Sequence, residues 1–130
     1  MPSNPAPPDF SPSRLPLAKR TCVPCKGDIP PLQGPELDKF SAELPGWKVM
    51  EEHHIEKSFD FSDFRSALNF VQQVGEVAEE QGHHPDILLR WGKVKITIYT
   101  HKIEGLSESD FILGAKIDEI SRTAQSQNAE

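Results

Sequence analysis

The sequence predicts an α+β fold: a four-stranded antiparallel sheet with three helices on one face. Three observations carry this reading. Apolar residues recur at helical spacing in three separate stretches. Between them the spacing falls to period two in four short runs. Turn residues group those runs into two hairpins joined by the longest helical stretch, in the order α-β-β-α-β-β-α. Covering one face of such a sheet leaves the other to solvent or to a partner.

The chain has 130 residues, a single-domain length. Ten of its twelve prolines fall in residues 1–35. That stretch has little periodic hydrophobicity, and it reads as an extended or flexible leader. It is followed by a domain over 36–124 and a polar tail over 125–130. In the domain, Leu37, Phe40 and Leu44 give one face of a short helix, stopped by Pro45-Gly46. Trp47 to Phe61 reads as two strands with a turn near residues 51–53. Ser62 is placed to cap the next helix, with Asp63 in its first turn. Phe64, Ala67, Leu68, Val71, Val74 and Ala78 form its stripe, and Gly82 ends it. Pro85 blocks continuation and pushes His84 toward an extended conformation. Ile87–Trp91 is a strand, Gly92-Lys93 a tight turn, and Val94–Thr100 a cleanly alternating strand. Ser107-Glu-Ser-Asp110 matches a capping box before a last helix with Leu113, Ile117, Ile120 and Ala124 on its stripe.

The net charge is −6. An acidic chain argues against a nucleic-acid backbone or an anionic membrane surface as its main ligand. No apolar run is long enough to span a bilayer, and the N-terminus lacks an apolar secretory core. The expected location is the cytoplasm, with an organellar leader still open because residues 1–20 lean basic. Cys22 and Cys25 form a single CVPC between prolines, half of what a closed zinc site needs.

Five histidines are the candidates for chemistry, and position separates them. His53 and His54 fall at a hairpin, where neighbours splay to opposite faces, and they read as exposed polar residues. His83 and His84 sit where a long helix gives way to a strand, a place that often rims a pocket. With the Gly92-Lys93 turn at its tip, the hairpin would bring His101 level with His84. Spacing alone supports three readings of such a cluster. It could be a three-histidine metal site with an open position, a metal-free acid–base pair or trio, or a set of junction caps.

The run from Glu79 narrows these. Glu79 is followed by three residues and His83-His84-Pro85, then after five residues Trp91, after nine His101, and after eight Asp110. This pattern, with THKIEGLSESDF around its end, resembles the pterin-4a-carbinolamine dehydratases, also called 4a-hydroxytetrahydrobiopterin dehydratases. The resemblance covers about residues 36–122, and the CVPC leader is similar to that of many microbial members. It departs at Ile87, where some animal members carry an aromatic.

The resemblance implies the same four-stranded fold in homodimers or homotetramers. It also implies dehydration of a 4a-hydroxytetrahydropterin to the quinonoid dihydropterin, with no metal and no organic cofactor. It assigns His83, His84 and His101 to catalysis. Glu79 lies four residues before His83 on the helix and can face the same cleft, orienting an imidazole or binding the pterin. Asp110 orients a histidine or holds substrate, and is equally a capping residue. Trp91 walls the pterin ring or packs in the hairpin. The rival reading is a binding role, because some members partner a transcription factor and some relatives assist rubisco assembly.

Overall fold

The computed structural model describes residues 16–22 and 30–128, with side chains to residue 123. The expected order is present: α1 (Gly34–Glu43), β1 (Lys48–Met50), β2 (His54–Asp60), α2 (Phe64–Gln81), β3 (Asp86–Arg90), β4 (Lys93–Ile98) and α3 (Glu108–Asn128). The strands form one antiparallel sheet in the order β1-β2-β4-β3. Two hairpins are thus zipped together along β2 and β4. No helix among the described residues is long and apolar enough to cross a membrane.

Alternation decides which face is covered. Ile55 and Phe59 on β2 and Val94, Ile96 and Ile98 on β4 point to one side and are buried. Ala67, Phe70 and Val74 of α2 and Phe111, Leu113 and Ile117 of α3 close over them. Phe70 lies between Phe59 (ring centroids 4.9 Å apart) and Phe61 (5.0 Å). The opposite sheet face carries Glu56, Ser58, Lys93 and Lys95, and stays open.

Several elements differ from expectation. The cap of α2 is Asp63, not Ser62; its carboxylate accepts the Ser66 N–H at 2.8 Å. That hydrogen bond holds the Asp63 carboxyl below its ordinary range. The buried stripe of α2 runs through Phe70 instead of Phe64 and Leu68, which are exposed. The β3–β4 turn is Trp91-Gly92, since Arg90 pairs with Lys93. The register therefore sets Asp86 against Thr97, and continued outward it sets His84 beside Tyr99 rather than His101. Helix α3 continues through Asn128 into the expected tail. Of the leader, Leu17 and Cys22 belong to the core, and a 3-10 turn over Leu17–Lys19 lies against α3. Cys25 falls outside the described residues.

Gly82 adopts φ 64°, and α2 closes there in a Schellman motif: Gly82 N–H bonds the Glu79 carbonyl and His83 N–H that of Ala78. Glycine suits that left-handed position, whereas Gly75, mid-helix with open space around its Cα, has no such role. Gly82→Ala is expected to destabilise the fold by about 1 kcal/mol. Gly75→Ala is expected to stabilise it by roughly 0.5–1 kcal/mol. Urea unfolding of both variants decides, and shifts of the same sign would contradict the cap assignment.

Candidate active site

The ends of three elements, α2, β4 and α3, meet at one carboxylate. Asp110, in the first turn of α3, is fully buried. Its Oδ2 accepts the Ser107 backbone N–H at 2.7 Å, the returning half of the expected capping box. The Thr100 hydroxyl, just past β4, donates to the same oxygen at 2.9 Å. With its proton spent there, Thr100 Oγ1 accepts from the Ser107 hydroxyl at 2.9 Å. Oδ1 takes the His83 ring Nε2 at 2.6 Å. No buried side-chain nitrogen or oxygen among the described residues lacks a partner.

The two adjacent histidines repeat one arrangement in different surroundings. A carboxylate only accepts, so His83 Nε2 carries the proton that faces Asp110. His84 Nε2 likewise faces Glu79 Oε2 at 2.7 Å. His83 is mostly buried, while His84 and Glu79 are 60% and 77% exposed. The exposed pair adds little stability. Its consequence is orientation. Each ring has one nitrogen committed to a carboxylate, which leaves Nδ1 without a protein partner among the described residues. The Schellman cap fixes the His83 backbone, and Pro85 starts the chain toward β3. The junction can thus present two imidazole nitrogens that accept or deliver a proton near neutral pH.

His101 is placed differently from expectation. It opens a 3-10 turn over His101–Ile103 rather than ending a strand. Its ring stacks on Tyr99, centroids 4.2 Å apart, and not on His83 or His84. The Trp91-Gly92 turn is the cause, through the register described above. His101 still stays near the junction through the chain, because its neighbour Thr100 bonds Asp110.

Tyr99, which the sequence did not single out, and the His53-His54 pair, read there as exposed polar residues, complete this second group. Tyr99 packs against His53 on its other side, at 4.5 Å. His53 and His54 converge, Nδ1 to Nδ1 at 3.1 Å, instead of splaying apart. The reason is the turn before them, where Glu51 and Glu52 both take φ 54°. Spacing gave no signal for that, since neither residue is glycine or asparagine.

Trp91 stands at the hairpin tip, 72% exposed, neither packed in the hairpin nor near the histidines. Five strand residues separate it from Pro85, about 16 Å of extended chain. Among the described residues, no group of three or more His, Cys, Asp or Glu side chains is placed to hold a metal. Cys22 is buried beside Ser109, its Sγ 3.5 Å from the Ser109 carbonyl. Burial pushes its thiol up to about 11; Lys116 pulls it back in part, and the Asp110 carboxylate adds to the rise. At neutral pH it is a protonated thiol and no nucleophile.

Comparison with known proteins places these residues in one family. Residues 30–120 match the family described as Pterin 4 alpha carbinolamine dehydratase. A protein of Rubrobacter xylanophilus, provisionally named a pterin-4-alpha-carbinolamine dehydratase, is 58% identical over 104 residues, 80% of this chain and 97% of its own. One of Alkaliphilus metalliredigens with the same provisional name is 50% identical over 103 residues, 78% of this chain and 93% of its own. Among solved structures, a Brucella melitensis protein titled transcriptional coactivator/pterin dehydratase superposes with TM-score 0.66 at 30% identity, over 70% of this chain and 98% of that one. A pterin dehydratase-like rubisco assembly factor of the α-carboxysome shares the fold at 22% identity and TM-score 0.52, over 58% of this chain and 89% of its own.

Two outcomes follow from this geometry. Asp110→Asn sets an amide N–H against at least one buried donor. It is expected to cost about 2–3 kcal/mol in urea unfolding; a neutral result would mean that the carboxylate is not buried among donors. In a Cys25→Ser background, folded protein at pH 8 should hold about a hundredfold less Cys22 thiolate than unfolded chain. Iodoacetamide should therefore label Cys22 rapidly only after denaturation.

Proposed function

This chain belongs to the pterin 4 alpha carbinolamine dehydratase family, and on that premise we propose that it dehydrates a 4a-hydroxytetrahydropterin to the quinonoid dihydropterin and water. The observation that carries the reading is the His83-His84 junction, where each ring has its Nε2 on a carboxylate and its Nδ1 available.

The elimination needs two proton transfers. A base removes the proton on N5 of the pterin, and the electrons of that N–H bond form the double bond between N5 and C4a. The C4a–oxygen bond breaks as an acid protonates the departing hydroxyl, which leaves as water. No electrons enter or leave the pterin. Adjacent imidazoles, one in its neutral and one in its protonated form, suit both tasks near pH 7. Asp110 and Glu79 act behind them. They hold the tautomer and ring orientation and stabilise imidazolium when it forms, as the carboxylate does in a Ser-His-Asp triad. The exposed Glu79 can also meet donor groups on the pterin. His101, its ring held by Tyr99, supplies a third imidazole at the border of this junction.

Dehydration of 4a-hydroxytetrahydropterin, followed by absorbance, tests the assignment. His84→Ala and His83→Ala are each expected to lower kcat/KM by about a hundredfold or more. Trp91→Ala, at the far end of the hairpin, should leave the rate unchanged. Equal rates in all three variants, or no dehydration by the wild type, would overturn the reading.

A further inference from the structure

The segment Pro16–Cys22 touches the ends of the two helices that carry His83 and Asp110. The Cys22 backbone N–H donates to Gln81 Oε1 at 2.9 Å, and Gln81 is the last residue of α2. The Cys22 thiol meets the Ser109 carbonyl, one residue before Asp110. Arg20 pairs with Glu108, the first residue of α3, at 2.8 Å. About two turns further along α3, Lys116 donates to the Ala18 carbonyl at 2.8 Å. Leu17 and Cys22 are buried at 5% and 6% exposure, and Arg20 at 9%. A loose tail would bury none of them.

We infer that residues 16–22 are a positioning strap, which clamps the C-terminal end of α2 to the N-terminal turn of α3 and so sets the His83–Asp110 distance. Two cross-links bridge these helix ends. One is the His83–Asp110 hydrogen bond. The other is the strap, running from Gln81 through Cys22 to Ser109 and Glu108. The first is the catalytic element of the proposed function, and the second joins the same two helix ends through other residues. Without the second, only side-chain packing and the hydrogen bond itself hold α2 and α3 at this end, and the bond's geometry follows the relative motion of the helices. Displacements of about 1 Å in such a contact can cost a hundredfold in rate. The strap therefore acts on turnover through the orientation of His83 and touches no substrate.

The kinetic part rests on the dehydratase reading; the structural part does not. Deletion of residues 1–22 strips Leu17 and Cys22 from the core, and its failure to fold would decide nothing, so point variants serve. Gln81→Met removes the acceptor for the Cys22 N–H at similar size. Arg20→Gln removes the ion pair with Glu108 from the strap side. Each is compared with wild type by NMR of the His83 Nε2–H proton and by steady-state kinetics. The expected result is faster solvent exchange and a shifted resonance for that proton. With it, kcat should fall about tenfold or more while KM stays within about threefold. If the proton signal moves and the wild type has no dehydratase activity, the strap stands and the function fails. An unmoved His83 signal in both variants overturns the strap.

Discussion

Everything in this molecule is arranged around one fully buried carboxylate. A carboxylate buried as Asp110 is becomes tolerable only when both its oxygens find donors. The donors come from three different elements: a backbone N–H at the start of α3, a hydroxyl past the end of β4, and an imidazole past the end of α2. Satisfying the charge therefore fixes where those three ends lie relative to one another. The position in the first turn of α3 also suits a negative charge, through the helix dipole. Removing any one donor leaves the others facing a partly uncompensated ion, so the arrangement is held together more tightly than its number of bonds suggests.

The same constraint separates the two histidines. His83 is committed to the buried network, and its ring can move only if the network moves. His84 shares the backbone turn but points its Nε2 at an exposed glutamate that solvent screens. Neighbouring imidazoles therefore differ in mobility and in dielectric surroundings. An acid and a base that must act on one small molecule benefit from such a difference, because environment, not residue type, then divides the roles.

Much of this was legible in the sequence. Periodicity gave the element order, and the glycine and proline at 82 and 85 marked the junction correctly. The His83–Asp110 and Glu79–His84 pairings join residues that the family resemblance over Glu79 to Asp110 had already singled out. What the sequence did not carry was register and local backbone. A turn one residue earlier than expected moves the partner of His84 from residue 101 to residue 99, and alternation cannot detect a shift of two because the same face is kept. Helical spacing likewise could not say that Phe70 rather than Phe64 lies inside, since that depends on the angle at which α2 meets the sheet. The leader misled because proline content signals extended chain, whereas Leu17 and Cys22 are short apolar anchors inside it. Sequence patterning has no signal for a short irregular segment, here a single 3-10 turn and its flanks, that packs.

The histidines at 53 and 54 show how far a local conformation can override a pattern. In a strand they would point apart. Here two consecutive residues with positive φ turn the chain first, and a third, Glu104 at φ 48°, closes the loop that carries His101. Non-glycine residues in that region cost of order 1 kcal/mol each, so the surroundings must offset them. They do so with identifiable contacts. Glu52 accepts the Gly34 N–H at 3.1 Å, Glu104 N–H bonds the His101 carbonyl at 3.2 Å, and the Glu104 carboxylate reaches His53 Nε2 at 3.5 Å. All three strained residues flank one stack, His53–Tyr99–His101. Since Tyr99 and His101 lie on either side of Thr100, the stack and the Asp110 network grip the same three residues of chain just past β4. The position of His101 is thus set by strain on one side and by a buried charge on the other.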